Sequence, residues 1–302
     1  MAPSERAKQV MRAARTDPAA AFQLAGWYCF GEEGLHQSPE LAFKWNLQAA
    51  EGGHLEAQGY VGCAYGDGEG VAVNHAVAAP WLEKAAGRGH RISQYNLGSA
   101  FEEGTKGVEQ NYELAAGWYQ RAADQGHTRA MVNLGNLYDA GQGVEQDYQH
   151  ANALYREAFE VGKDNDTHAL VNALSNLGIN YRKGLGVEQS LATALSFWQR
   201  AADLGHARCQ YRVGWAYMEG RGGYEKNAQL ARQYIKASAA QGNVEAVALL
   251  KKLNACAHYG TDAAPKVCPR CMTARYCNAV CQRHHWTDPA DPHRALCGGR
   301  RC

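Results

Sequence analysis

The residues best suited to chemistry cluster near the C-terminal end. Cys256, His258, Cys268, Cys271, Cys277, Cys281, His293 and Cys297 offer thiolate and imidazole groups in one short stretch. Zinc takes four such ligands in a tetrahedron, and spacings such as Cys268-Pro269-Arg270-Cys271 and Cys277-Asn278-Ala279-Val280-Cys281 let two ligands reach one ion from a single turn. Eight candidates imply two ions. Seven of the ten cysteines fall in the last 47 residues, which in a reducing compartment marks metal ligands and not disulfides. A segment this short has no room for a sizeable apolar core, so the metal would supply most of its folding energy.

Composition sets the frame that must carry this cluster. The chain has 302 residues, 46% of them apolar, with 33 Gly and 8 Pro, the profile of a globular chain with many turns. The net charge of +1 divides into +4 over residues 254–302, with seven Lys/Arg against three Asp, and −3 before them. Neither value points to nucleic acid or an anionic membrane as the main partner. Charged residues occupy the N-terminus where a secretory signal would need an apolar core, and no run of about 18 apolar residues occurs. The expectation is a soluble intracellular protein, cytoplasmic or nuclear. No phosphate loop, nucleophile elbow or dinucleotide fingerprint is visible, so neither an enzymatic activity nor a small-molecule substrate is expected.

Ahead of the cysteines the chain repeats. Gly53-His54, Gly89-His90, Gly126-His127 and Gly205-His206 recur, with Gly162-Lys163 and Gly242-Asn243 in the two remaining places. The intervals are 36 or 37 residues except one of 43, which holds the polar insertion Lys163 to His168, read as an extended loop. Gly62, Gly98, Gly135, Gly178 and Gly214 return in step, each followed by an aromatic: Tyr65, Phe101, Tyr138, Tyr181 and Tyr217. A glycine-rich turn then leads to a second segment, clearest at Ala115, Trp118, Tyr119, Ala122 and Ala123, whose spacing is one apolar face of a helix.

Each unit therefore reads helix, turn, helix, turn. Glycine inside a helix costs about 1 kcal/mol relative to alanine, so five at one register need compensation, most simply the close approach of a neighbouring helix backbone. The Ala-Ala pairs at 49/50, 85/86, 122/123, 201/202 and 239/240 keep the second helix thin on its buried side. The repeat histidines and aromatics are expected as turn and core elements, and Cys29, Cys63 and Cys209 as small buried hydrophobes. No unit buries its apolar face alone, so the units stack.

These residues resemble the Sel-one-like repeat, a relative of the tetratricopeptide repeat, over about residues 18–243. The resemblance implies an all-α fold, a right-handed α-solenoid of six helix-turn-helix repeats whose concave face holds other proteins. The first and sixth copies diverge, with Ala25 at the helix glycine and Arg221-Gly222-Gly223-Tyr224 in the last turn. The expected organisation is an N-terminal capping helix in 1–17, the solenoid with its C-terminal capping helix in 18–253, and a cysteine module in 254–302.

That module resembles a MYND zinc finger through Cys268-Pro269-Arg270-Cys271, the run from Tyr276 and Cys277 through Cys281-Gln282 to His285-Trp286, and His293-Arg294-Ala295-Leu296-Cys297. The resemblance implies interleaved sites, one of Cys268, Cys271, His293 and Cys297, the other of the first pair with Cys277 and Cys281. The first pair departs from the family, since Tyr259 stands where its second cysteine belongs. His258, one residue nearer, is the candidate fourth ligand; otherwise water or nothing completes that site. His284 and His285 rival His293, whose His-x-x-x-Cys spacing favours it, although the segment Thr287 to Pro292 lengthens the loop before it.

Family members bind proline-rich peptides with this finger, often on transcriptional regulators, which assigns Gln282 and Trp286 to the peptide groove; the competing role for Trp286 is covering the zinc sites. An exposed indole packs well on an extended proline-rich strand. The function expected is a scaffold, the solenoid holding one protein and the finger recruiting another. The alternatives are a ubiquitin-ligase-associated or transcription-regulatory zinc-finger protein. The scattered arginines of the module lack a basic helix, which argues against nucleic acid.

Overall fold

The computed structural model describes residues 2–162 and 166–254, and beyond them the backbone of two short strands. Its contacts divide the chain into two compact units, Met1–Gly162 and Lys163–Cys302. The first runs α1 (Glu5–Ala13), α2 (Pro18–Phe30), α3 (Pro39–Glu51), α4 (Leu55–Asp67), α5 (His75–Gly87), α6 (Arg91–Glu103), α7 (Tyr112–Ala123), α8 (Thr128–Ala140) and α9 (Tyr148–Gly162). The second runs α10 (Thr167–Lys183), α11 (Leu191–Asp203), α12 (Ala207–Glu219), α13 (Ala228–Ala240) and α14 (Val244–Asn254), followed by β1 (Lys266–Val267) and β2 (Arg275–Tyr276). Within each unit helices pack in consecutive pairs, α4 on α5, α6 on α7 and α12 on α13 for example, and each pair leans on the next through α5 on α6 or α11 on α12.

Helix ends follow from side chains. Ser38, Asn111, Ser190 and Asn227 stand at the N-caps of α3, α7, α11 and α13 and accept backbone N–H groups of the first turn. The first helix of a repeat ends on a left-handed glycine such as Gly104 (φ 68°), and the second on the Gly-His turn, where Gly89 has φ 91°.

The register glycines are compensated by a side chain more than by backbone. A β-carbon would lie 2.7 Å from Tyr119 Cδ1 at Gly98 and 2.6 Å from Tyr155 Cε1 at Gly135, and at Gly178 it would overlap the Trp198 indole. At Gly62 and Gly214 neighbouring backbone also comes within about 3.0 Å, at Leu82 N and Ala231 O. The expected approach of two backbones is thus mostly the insertion of one large side chain from the second helix. The first repeat obeys the same rule in reverse: Ala25 fills the glycine position, and the register position of Tyr119 holds the smaller Asn46.

The Ala-Ala pairs are buried in α3, α5, α7 and α11, whereas in α13 Ala239 is half-buried and Ala240 exposed. Their carbonyls show how repeats are joined. In α3, α5, α7 and α11 the first of the pair accepts the histidine N–H of the turn, as Ala85 O does from His90 at 3.1 Å. In α3, α5 and α11 the second accepts from a buried glutamine of the next repeat: Gln58 Nε2 to Ala50 O at 3.0 Å, Gln94 to Ala86 O at 3.1 Å, Gln210 to Ala202 O at 3.2 Å.

Of the stretch Lys163 to His168, expected as an extended loop, the described residues 166–168 form the start of a helix instead. Thr167 and His168 open α10, Asp166 accepts from Ala169 N as its N-cap, and α10 has 17 residues where most helices have 13. Residues 163–165 lie outside the described part.

Candidate functional site

The ligand candidates Cys256, His258, Cys268, Cys271, Cys277, Cys281, His293 and Cys297, with Gln282 and Trp286, all lie outside the described residues. What is described there is the framework at two points: β1 and β2 pair antiparallel, with Lys266 opposite Tyr276 and Val267 opposite Arg275. In sequence, Cys268 directly follows β1 and Cys277 directly follows β2. The donor set of six thiols and two imidazoles suits zinc. Among the described residues no group of three or more His, Cys, Asp and Glu is placed to hold a metal ion, and no helix is long and apolar enough to cross a membrane.

The repeat histidines have a role more specific than turn or core elements. His54, His90, His127 and His206 are the N-caps of α4, α6, α8 and α12, and Nδ1 of each accepts the backbone N–H three residues on, at 3.5, 3.3, 3.2 and 3.3 Å. Accepting needs a lone pair on Nδ1, so such a cap is made by a ring that carries its proton on Nε2. Burial first of all lowers the pKa of His90 and His206 below the ordinary imidazole range, which fits that demand.

Of the three isolated cysteines, Cys209 is fully buried, while Cys29 and Cys63 are only partly so. Burial pushes the Cys209 thiol up to about 11 and raises the other two. These are protonated thiols suited to packing, not nucleophiles. The sulfur of Cys63 accepts from Asn96 Nδ2 at 2.9 Å.

The described residues form a cleft of about 300 Å³ in the second unit, between α10, α11 and α12 with Glu245 of α14 at its edge. Its floor is Trp198, which is 3% exposed. The guanidinium carbon of half-buried Arg212 lies 4.3 Å from the Trp198 ring centroid, and that of Arg221 lies 4.9 Å from the ring centroid of Trp215. Arg182 and Arg208 complete the cationic lining. Among the described residues none of the four arginines has a carboxylate within 4.0 Å. Burial lowers the pKa of Arg212; the Arg182 and Arg208 charges add to that effect, and Glu245 opposes it. Sequence reading passed over this cleft because the arginines look scattered along the chain; the signal was their departure from the repeat pattern.

Comparison with known proteins agrees with this architecture. The Sel1 repeat family model matches residues 18–54, 55–90, 91–127, 128–163, 171–206 and 207–243. The MYND finger model matches residues 254–297, a span that contains all eight ligand candidates. A crystal structure of c5321, a protective antigen present in uropathogenic Escherichia coli strains displaying an SLR fold, superposes with a TM-score of 0.70 at 27% identity, covering 93% of this chain and 55% of that one. A Sel1 repeat protein from Oxalobacter formigenes superposes with a TM-score of 0.64 at 31% identity, over 74% of this chain and 85% of that one. The chitin synthase regulator SKT5 of Saccharomyces cerevisiae is 40% identical over 76 residues, 25% of this chain and 11% of the yeast protein. The chain therefore spans only a small part of that regulator and about half of the E. coli antigen.

Proposed function

The chain belongs to the Sel1-repeat family, and from that premise we propose that it is a non-enzymatic adaptor of the cell interior, cytoplasmic or nuclear. The repeats hold one protein partner and the C-terminal finger recruits a second through a proline-rich segment. The observation that carries this reading is the order of parts: six repeats ending at residue 243 are followed, after the helix α14, by a match to a MYND finger that begins at residue 254. The recurring histidines, glycines and aromatics are engaged in caps, turns and packing, so the side chains that vary between repeats are those left to meet a partner.

In this reading one zinc ion is held by Cys268, Cys271, His293 and Cys297, and a second by Cys256, Cys277 and Cys281 with His258. Bound zinc supplies the cross-links that fold a segment lacking its own core. Gln282 and Trp286 line the peptide groove.

The experiment is zinc content per chain for protein purified without chelators, with the variants Cys268→Ser and His258→Ala. Two ions falling to one in each variant supports both sites. One ion, unchanged in His258→Ala, would remove His258 from the ligand set. Trp286→Ala separates the two roles of the indole. Loss of proline-rich peptide binding with zinc retained supports the groove, and loss of zinc instead makes Trp286 a cover for the metal.

A further inference from the structure

Three register positions tell one story in the third repeat and another in the fifth. In the third, Glu102 of α6 lies four residues after the helix glycine Gly98 and Tyr119 of α7 fills the glycine's space, and from the fourth Asn133 of α8, two before Gly135, joins them. The Tyr119 hydroxyl donates to Glu102 Oε2 at 2.5 Å and accepts from Asn133 Nδ2 at 3.1 Å. Carboxylate, phenol and amide thus satisfy one another, and the place carries one negative charge.

In the fifth repeat the same positions hold Arg182 of α10, four residues after Gly178, and Trp198 of α11, and the sixth supplies Arg212 of α12, two before Gly214. The acceptor has become a guanidinium, the phenol an indole, and the amide a second guanidinium. The indole N–H turns inward and donates to Ser175 O at 3.1 Å, so nothing in the triad accepts from the arginines. Two positive charges stand where one negative charge stood, in a cleft, with Arg208 beside them and, among the described residues that line it, only Glu245 to offset them. Gathering like charges in a partly desolvated place is unfavourable unless an anion completes it. A guanidinium pair is suited to a carboxylate or phosphate, whose oxygens it can bind in a bidentate way.

We propose that the cleft between α10, α11 and α12 binds an acidic segment of a partner protein, Arg182 and Arg212 holding its oxyanion while Leu191 and Trp215 seat an apolar neighbour. Leu191 and Trp215, 38% and 36% exposed, give the cleft its open apolar rim. A peptide fits better than a nucleic acid, because stacking needs a free aromatic face at the cleft floor, whereas Trp198 is 3% exposed under Arg212. The chain's own residues 254–302 carry a net +4 and have the wrong sign. The proposal rests on the adaptor reading and names the chemistry of the partner that the repeats hold.

The test is retention on the whole chain of three random peptide libraries, identical except that a fixed position next to a leucine is glutamate, phosphoserine or glutamine. Inorganic phosphate and a single-stranded RNA oligomer serve as competitors. Enrichment of the glutamate or phosphoserine library over the glutamine one, falling at least tenfold in Arg182→Gln and in Arg212→Gln but not in Arg121→Gln, supports the site; which library is retained tells carboxylate from phosphate. Arg182 is exposed, so its variant remains informative should Arg212→Gln fail to fold. No enrichment, equal retention by the Arg182 and Arg212 variants, or displacement by RNA at lower concentration than by peptide would overturn it. Proline-rich peptide binding through Trp286, measured on the same variants, stays intact if only this proposal fails and is absent if the adaptor reading itself fails.

Discussion

A methyl group added at Gly98 would stand 2.7 Å from the Tyr119 ring, and one at Gly178 would overlap the Trp198 indole. Alanine would gain about 1 kcal/mol of helix propensity at either place, but overpacking a core costs roughly 1–3 kcal/mol. Gly98→Ala and Gly178→Ala should therefore lower stability by up to about 2 kcal/mol in denaturant titrations, against the propensity scale; a gain would mean the ring moves aside freely. The capping histidines predict a pH effect. The pKa of His90 and of His206 is lowered in the folded chain, so on acidification the unfolded chain binds protons first. Their contribution is complete above about pH 6.5, the unfolded value, and is lost as pH falls through the lowered folded values. His90→Asn and His206→Asn keep a capping oxygen without the titration and should flatten the fall in stability between pH 7 and pH 5; an unchanged slope would remove the caps from the explanation. The glycine and aromatic positions were legible because they recur at fixed spacing within one helix pair. The Nδ1 caps were not, because histidine is rarely a cap and its acceptor role depends on a tautomer that sequence does not record.

At the scale of elements, successive repeats are tied by glutamine. Gln94 donates to Ala86 O and accepts at Oε1 from Gln125 Nε2 at 2.7 Å, and Gln125 also donates to Gly89 O at 3.2 Å. The same arrangement recurs around Gln210, where Gln241 donates to it at 2.9 Å and to Gly205 O at 2.8 Å. In the fourth repeat that register position is Met131, almost fully buried, so the joint tolerates an apolar occupant. Gln94→Ala, which leaves a buried carbonyl and a void, should cost about 1–3 kcal/mol. Gln94→Met should cost less, and equal losses would assign the cost to the hydrogen bonds alone. The helix pairs and their turns were legible from period and glycine placement, but this ladder was not, because its glutamine–glutamine and glutamine–glycine links span 31 to 36 residues and glutamine on a helix reads as a solvated face. The insertion at 163–168 was read as loop from its polarity, whereas Asp166 serves as a cap and the following residues lengthen α10. The arginine cleft was hidden for a related reason. The repeat was found by what recurs, and Arg182, Trp198 and Arg212 matter because they replace what recurs.

For the whole molecule the account is an adaptor with two separable recognition sites, an arginine-lined cleft near the end of the repeats and a cysteine module beyond them. The module carries a net +4 against −3 for the rest of the chain, so the two regions present different chemistry to partners. The measurement that tests this most directly is quantitative affinity capture with three forms of the full chain: unaltered, Trp286→Ala, and Arg182→Gln with Arg212→Gln. The account predicts that each variant loses its own set of proteins, that the two sets do not overlap, and that zinc content is unchanged in all three. Loss of the same proteins by both variants, or of none by either, would contradict an adaptor with two sites.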